Sequence, residues 1–125
     1  MSDLPRDVEV FIDEHVDNLE HLEILLLLRG QPAREFWPRD VTAELRLGTE
    51  SAPERLAALV KSGFVAAQGE PPCYRYAPAD GEKVRVLDVV ARCYAERRVA
   101  VITRIFSPRA DRMRSFADAF DLRRK

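Results

Sequence analysis

Apolar residues recur along this chain in three rhythms. Val8, Phe11, Ile12, Val16 and Leu19 stand three and four apart, which predicts an amphipathic helix over residues 6–16. Asn18 occupies an N-cap position, and a second helix follows from Leu19 to Arg29, ended by Gly30 and Pro32. Ile24 to Leu28 are apolar without interruption, the mark of a helix buried on most sides, and the run is far too short to span a bilayer. After Glu35-Phe36-Trp37, read as a strand stub with Trp37 packing under the next element, the period returns to helical over Pro38 to Leu47. Gly48-Thr49-Glu50 is a tight turn. Ser51 to Ser62 is a second short helix, with a capping-box spacing at Ser51 and Glu54, an inner face of Leu56, Leu59 and Val60, and Gly63 as its positive-φ end. The rhythm then drops to two: Phe64 to Ala67 and Cys73 to Ala77 predict a hairpin around the stiff turn Gln68 to Pro72.

No proline interrupts Asp80 to Phe106, and the stretch predicts one long helix of roughly 40 Å. Val84, Leu87, Ala91, Tyr94, Val101 and Ile105 form its apolar stripe, with Arg98 in the one missing position. Val90, Val99, Ile102 and Phe106 widen that stripe beyond the needs of one small core, so the helix is expected to build a homodimer through Val84, Leu87, Ala91, Tyr94, Val101, Ile102 and Ile105. Ser107-Pro108 opens a last helix whose apolar face is Met113, Phe116 and Phe120, ringed by Arg112, Arg123, Arg124 and other basic residues. The fold class expected is mainly α with a small β-hairpin, in a single domain over 1–125. Residues 18–78 are its central part, 80–106 the dimerisation helix and 108–125 a basic helical arm.

A helix, a Gly-containing turn, a second helix and a hairpin make the helix-turn-helix pattern, whose second helix is built to enter a major groove. With Leu56, Leu59, Gly63-Phe64-Val65 and Tyr74-Arg75-Tyr76 at their spacings, residues 18–106 resemble the winged helix-turn-helix superfamily, and the element order is similar to small bacterial regulators of the MarR type. The turn Gln68-Gly69-Glu70-Pro71-Pro72 departs from the longer MarR wing with its Asp-x-Arg pair. The resemblance implies a homodimeric, cytoplasmic transcription regulator that binds double-stranded DNA. It places Thr49, Ser51, Glu54 and Arg55 at the reading face, Arg75 on the wing, and Arg39 and Lys61 within reach of phosphates.

Charge changes that picture. Residues 1–30 hold two arginines against eight carboxylates; residues 31–77 hold six basic groups against six acidic ones; residues 104–125 hold seven basic against three acidic. Duplex binding draws on a positive surface, and here the expected reading region is neutral. An alternative reading therefore stands beside the first: a winged-helix interaction module that docks protein and not DNA, with the arm as a further contact for another protein. Chemistry finds little foothold. His15 and His21 are six apart and set among acids, so they read as surface histidines; Cys73 and Cys93 read as buried thiols; the Asp13-Glu14 pair reads as helix exterior. Neither an enzyme nor a cofactor is expected.

Overall fold

The computed structural model describes residues 4–48 and 50–107. Among these lie six helices and one two-stranded antiparallel hairpin: α1 (Arg6–His15), α2 (Leu19–Gly30), α3 (Pro38–Leu45), α4 (Ala52–Lys61), β1 (Val65–Gln68), β2 (Cys73–Tyr76), α5 (Gly81–Glu96) and α6 (Arg98–Phe106). The protein is mainly α with a small hairpin, as the periodicity predicts. Its contacts divide it into two compact units, one of Glu20–Val84 and the other of the described parts of Met1–Leu19 and Arg85–Lys125.

Within Glu20–Val84, the buried side chains are those that the 3.6-residue and two-residue periods mark: Leu22, Ile24, Leu25 and Leu28 on α2, Val41 on α3, Leu56 and Leu59 on α4, then Phe64, Val65 and Tyr74. α3 packs on α4, and α4 on β1. Strand register pairs Val65 with Tyr76 and Gln68 with Cys73, so Val65, Ala67, Tyr74 and Tyr76 share one face and Ala66, Gln68, Cys73 and Arg75 the other. The strand stub forms as a single antiparallel bridge: Phe36 N–H donates to Tyr74 O at 2.7 Å and Tyr74 N–H to Phe36 O at 2.8 Å. Phe36 itself is fully buried.

Both helices of the pair end in the same Schellman geometry. At the end of α4, Phe64 N–H reaches Leu59 O and Gly63 N–H reaches Val60 O, with Gly63 at φ 87°. At the end of α3, Leu47 N–H reaches Thr42 O and Arg46 N–H reaches Ala43 O, with Arg46 at φ 53°. The turn thus begins two residues earlier than the sequence suggests, and its left-handed residue is an arginine, not Gly48. The N-termini differ from expectation too. Ser51 sits in the helical region (φ −85°, ψ −13°) and makes no side-chain cap, so the Ser51–Glu54 capping box does not form. At α3 it is Asp40 that reaches back, accepting from Trp37 N–H at 2.9 Å. Trp37 is half-buried, with the Arg39 guanidinium 5.4 Å from its ring centre.

In the other unit, α1 packs on α6, and Val8, Phe11, Ile12, Leu87, Val90, Val101 and Ile105 are buried. The single helix expected over 80–106 is two. Arg97 leaves the helical region (φ −132°, ψ 50°) between α5 and α6. The missing position in the stripe explains the break. Continued straight, the helix would turn Arg98 inward, and desolvating a guanidinium costs several kcal/mol, of order. With the break, Arg98 is exposed, its guanidinium 4.6 Å from the Tyr94 ring centre and bonded to Tyr94 Oη at 3.0 Å, while Val101 and Ile105 stay buried.

Three polar side chains also sit elsewhere than the sequence predicts. Asp13 is not exterior: it is buried and held by Arg104. His21 is buried on α2 and not at the surface, because it shares the inward side with Leu22 and Leu25. Cys73 is half-exposed beside the Glu35 carboxylate, Sγ to Oε2 3.0 Å, a contact that pushes its thiol above the ordinary range; Cys93 is buried as expected, and burial pushes it up.

Candidate nucleic-acid interface

The candidate surface is built by α3, the turn after it, α4 and the hairpin. Pro38 starts α3 with its fixed φ, and Thr42 Oγ1 donates back to Pro38 O at 3.0 Å. This sets Arg39 and Ala43 on the exposed side while Val41 is buried. On α4 the inward residues Ala52, Leu56 and Leu59 leave Pro53, Glu54, Ala57, Ala58 and Lys61 exposed. A groove of about 370 Å³ lies between α3 and the start of α4, lined by Pro38, Arg39, Thr42, Ala43, Glu50 and Pro53. On the hairpin, Arg75 is exposed on the outer face, where a smaller hollow of about 130 Å³ is lined by Glu35, Ala66, Ala67, Gln68, Cys73 and Arg75.

The predicted residues fall into two groups. Arg39, Glu54, Lys61 and Arg75 are exposed. Ser51 and Arg55 are half-buried and converge on one carboxylate, that of Glu20 on α2. The Ser51 hydroxyl donates to Glu20 Oε1, and Arg55 Nε lies 3.7 Å from the same oxygen. At that distance the arginine contact is an ion pair and not a hydrogen bond, and the buried Nε has no hydrogen-bond partner among the described residues. Thr49 lies outside the described residues. Exposed charge across the surface is balanced: Arg39, Arg46, Lys61 and Arg75 stand against Glu44, Glu50, Glu54 and Glu70, and Glu44 is engaged by Arg34 at 2.7 Å. Glu20 is the site residue that the sequence reading missed. It lies 31 residues from Ser51, and no local spacing connects the two.

The expected dimer surface is rearranged by the break at Arg97. Leu87, Val101 and Ile105 are buried and Ala91, Tyr94 and Ile102 half-buried, while Val84 is 38% exposed. The exposed apolar side chains on α6 are Val99 at 78% and Phe106 at 68%, with Ile102 between them on the same face. The arm residues Arg112, Met113, Phe116, Phe120, Arg123 and Arg124 lie outside the described residues.

Among the described residues no group of three or more His, Cys, Asp or Glu side chains could hold a metal ion, and no helix is long and apolar enough to cross a membrane. Comparison with known proteins returns no matching family model, no matching curated protein and no matching solved structure.

Proposed function

We propose that this protein is a winged helix-turn-helix regulator that binds double-stranded DNA as a homodimer in the cytoplasm. The observation that carries the reading is the order α3, turn, α4, hairpin together with the Phe36–Tyr74 bridge, which ties the strand stub to the hairpin. In that arrangement α4 is the helix offered to a major groove, Arg75 on the hairpin reaches the flanking backbone, and Arg39 and Lys61 meet phosphates. The homodimer draws its support from the α6 face Val99–Ile102–Phe106. Two exposed large apolar side chains on one short helix are the kind of surface that a second copy covers. Binding of a pool of random-sequence duplexes at low salt tests the first part. The expected result is affinity that falls steeply as salt rises, with a log–log slope of about −0.9 per phosphate neutralised. No binding at the lowest salt overturns it.

A second reading has its own observation. With Ser51 and Arg55 drawn to Glu20, what α4 exposes is Pro53, Glu54, Ala57, Ala58 and Lys61, a face without net charge. Such a face suits a protein partner. If duplex binding is absent while a cross-linked or co-purified protein depends on Ala57 and Ala58, the module docks protein.

A further inference from the structure

The Glu20 carboxylate touches both Ser51, the residue before α4, and Arg55 in its first turn. Ser51 and Arg55 are one helical turn apart and present to it on the same side, and Glu20 is itself only a quarter exposed. A carboxylate at this place does two things to any anionic ligand of α4. It cancels the charge of Arg55, and it occupies the Ser51 hydroxyl. The fit is incomplete on the arginine side, since among the described residues the buried Nε has no hydrogen-bond partner. Leaving a buried donor unsatisfied carries a penalty, and Nε meets Glu20 as an ion pair and not as a hydrogen bond. A guanine edge or a phosphate that offers Arg55 well-aligned acceptors would replace a 3.7 Å ion pair with hydrogen bonds.

We infer that Glu20 masks the DNA-reading residues at the start of α4: Arg55 and Ser51 are parked on its carboxylate, and sequence-specific binding requires Arg55 to leave it. The inference rests on the DNA-binding reading above. It makes Glu20 a residue that sets affinity and specificity without touching DNA. A carboxylate that instead positioned Arg55 for the base would have the opposite effect when removed.

The experiment is an anisotropy titration of the full chain against duplexes with a randomised centre of about two helical turns, followed by selection and sequencing of the bound fraction. Glu20→Gln is expected to bind about tenfold more tightly than wild type and to steepen the salt slope by about one unit, as one more cation becomes available. Glu54→Gln removes an equal charge from the exposed side of α4 and is expected to gain less. In the Arg55→Ala background, Glu20→Gln should change affinity by less than about twofold, because the gain passes through Arg55. Glu20→Asp keeps the charge and draws the carboxylate back by one methylene. It should gain part of the effect, and it carries the test if Glu20→Gln fails to fold. Wild type that binds duplex while the folded Glu20 variants bind equally or more weakly overturns the inference and leaves the DNA-binding reading standing. So does a gain that survives undiminished in Arg55→Ala. If wild type and all Glu20 variants fail to bind at low salt, the DNA-binding reading itself falls, and the inference with it.

Discussion

Arg104 on α6 grips Asp13 on α1 with two donors: Nε donates to Asp13 Oδ1 at 3.0 Å, and Nη2 to Oδ2. Its third nitrogen, Nη1, lies 3.5 Å from Glu9 Oε2. Asp13 is 4% exposed and Arg104 19%, so this forked pair works largely away from water and joins helices that are 91 residues apart in sequence. Its hydrogen bonding to the Asp13 carboxylate raises the Arg104 pKa above its ordinary value against the opposing pull of burial. Removing one partner leaves the other charge buried. Asp13→Ala is therefore expected to lower the unfolding free energy by about 2–4 kcal/mol in urea denaturation, a discounted figure because Arg104 is partly wet and keeps Glu9. A loss under about 1 kcal/mol would show the pair to be ornamental to stability.

The two Schellman ends give substitutions of opposite sign. Gly63→Ala puts a Cβ at φ 87°, 2.9 Å from the mobile end of Lys83 and 3.5 Å from Ala79 Cβ, and should destabilise by about 1–2 kcal/mol, mostly through the backbone. Arg46→Gly relieves the same left-handed strain at φ 53° and returns some entropy to the unfolded chain. The net is a gain of about 0.5–1 kcal/mol. Thermal melts of the two variants moving in the same direction would contradict this account of the turn.

Asp80 supplies an acid-sensitive cap for α5. Its Oδ1 accepts from Lys83 N–H at 2.8 Å, and this bond is the main reason that the carboxyl titrates below its ordinary value of 3.8. A lowered value in the folded state means that the contribution is complete above the unfolded value and is lost as pH falls through the folded one. Melting temperatures of wild type and Asp80→Ala should differ at neutral pH and converge in acid. A gap that stays constant down to about pH 2 would assign the effect to something other than the charged cap.

The α6 face and the buried stripe make separable predictions. Phe106→Glu should weaken self-association by light scattering while leaving the melting temperature within a few degrees of wild type, since the side chain is 68% exposed. Leu87→Glu buries a carboxylate at a fully enclosed position and should unfold the chain. Wild type that is monomeric at high micromolar concentration would remove the homodimer from the proposal.

On the hairpin, Arg75→Ala should weaken all duplexes alike and flatten the salt dependence by about one unit. Arg55→Ala should lower sequence preference by about 1–3 kcal/mol if the arginine reads a guanine. Lys61→Ala should do less than either, because it stands at the far end of α4. Two arginine variants that bind like wild type would move the contact surface elsewhere.

What the sequence by itself determined is what is local. Apolar spacing placed α1 to α4 and the hairpin within a few residues, and ran α5 and α6 together as one helix, because burial selects one face of each element whatever its neighbour is. Gly63 was legible as a helix end because a left-handed residue is most simply a glycine. The strand stub at Phe36 was legible as the short run Glu35-Phe36-Trp37 between two helical periods, free to pair with the hairpin. What only the tertiary structure decided is where charges meet. Asp13 and Glu20 look like solvated helix acids until Arg104 and Arg55 are brought to them from 91 and 35 residues away. No spacing rule reaches that far, and a carboxylate's environment depends on which cation the fold delivers. The break at Arg97 belongs to the same class. Neither Gly nor Pro marks it; it follows from keeping Arg98 in water while Val101 and Ile105 go inside, a choice made by packing and not by the chain's own propensity.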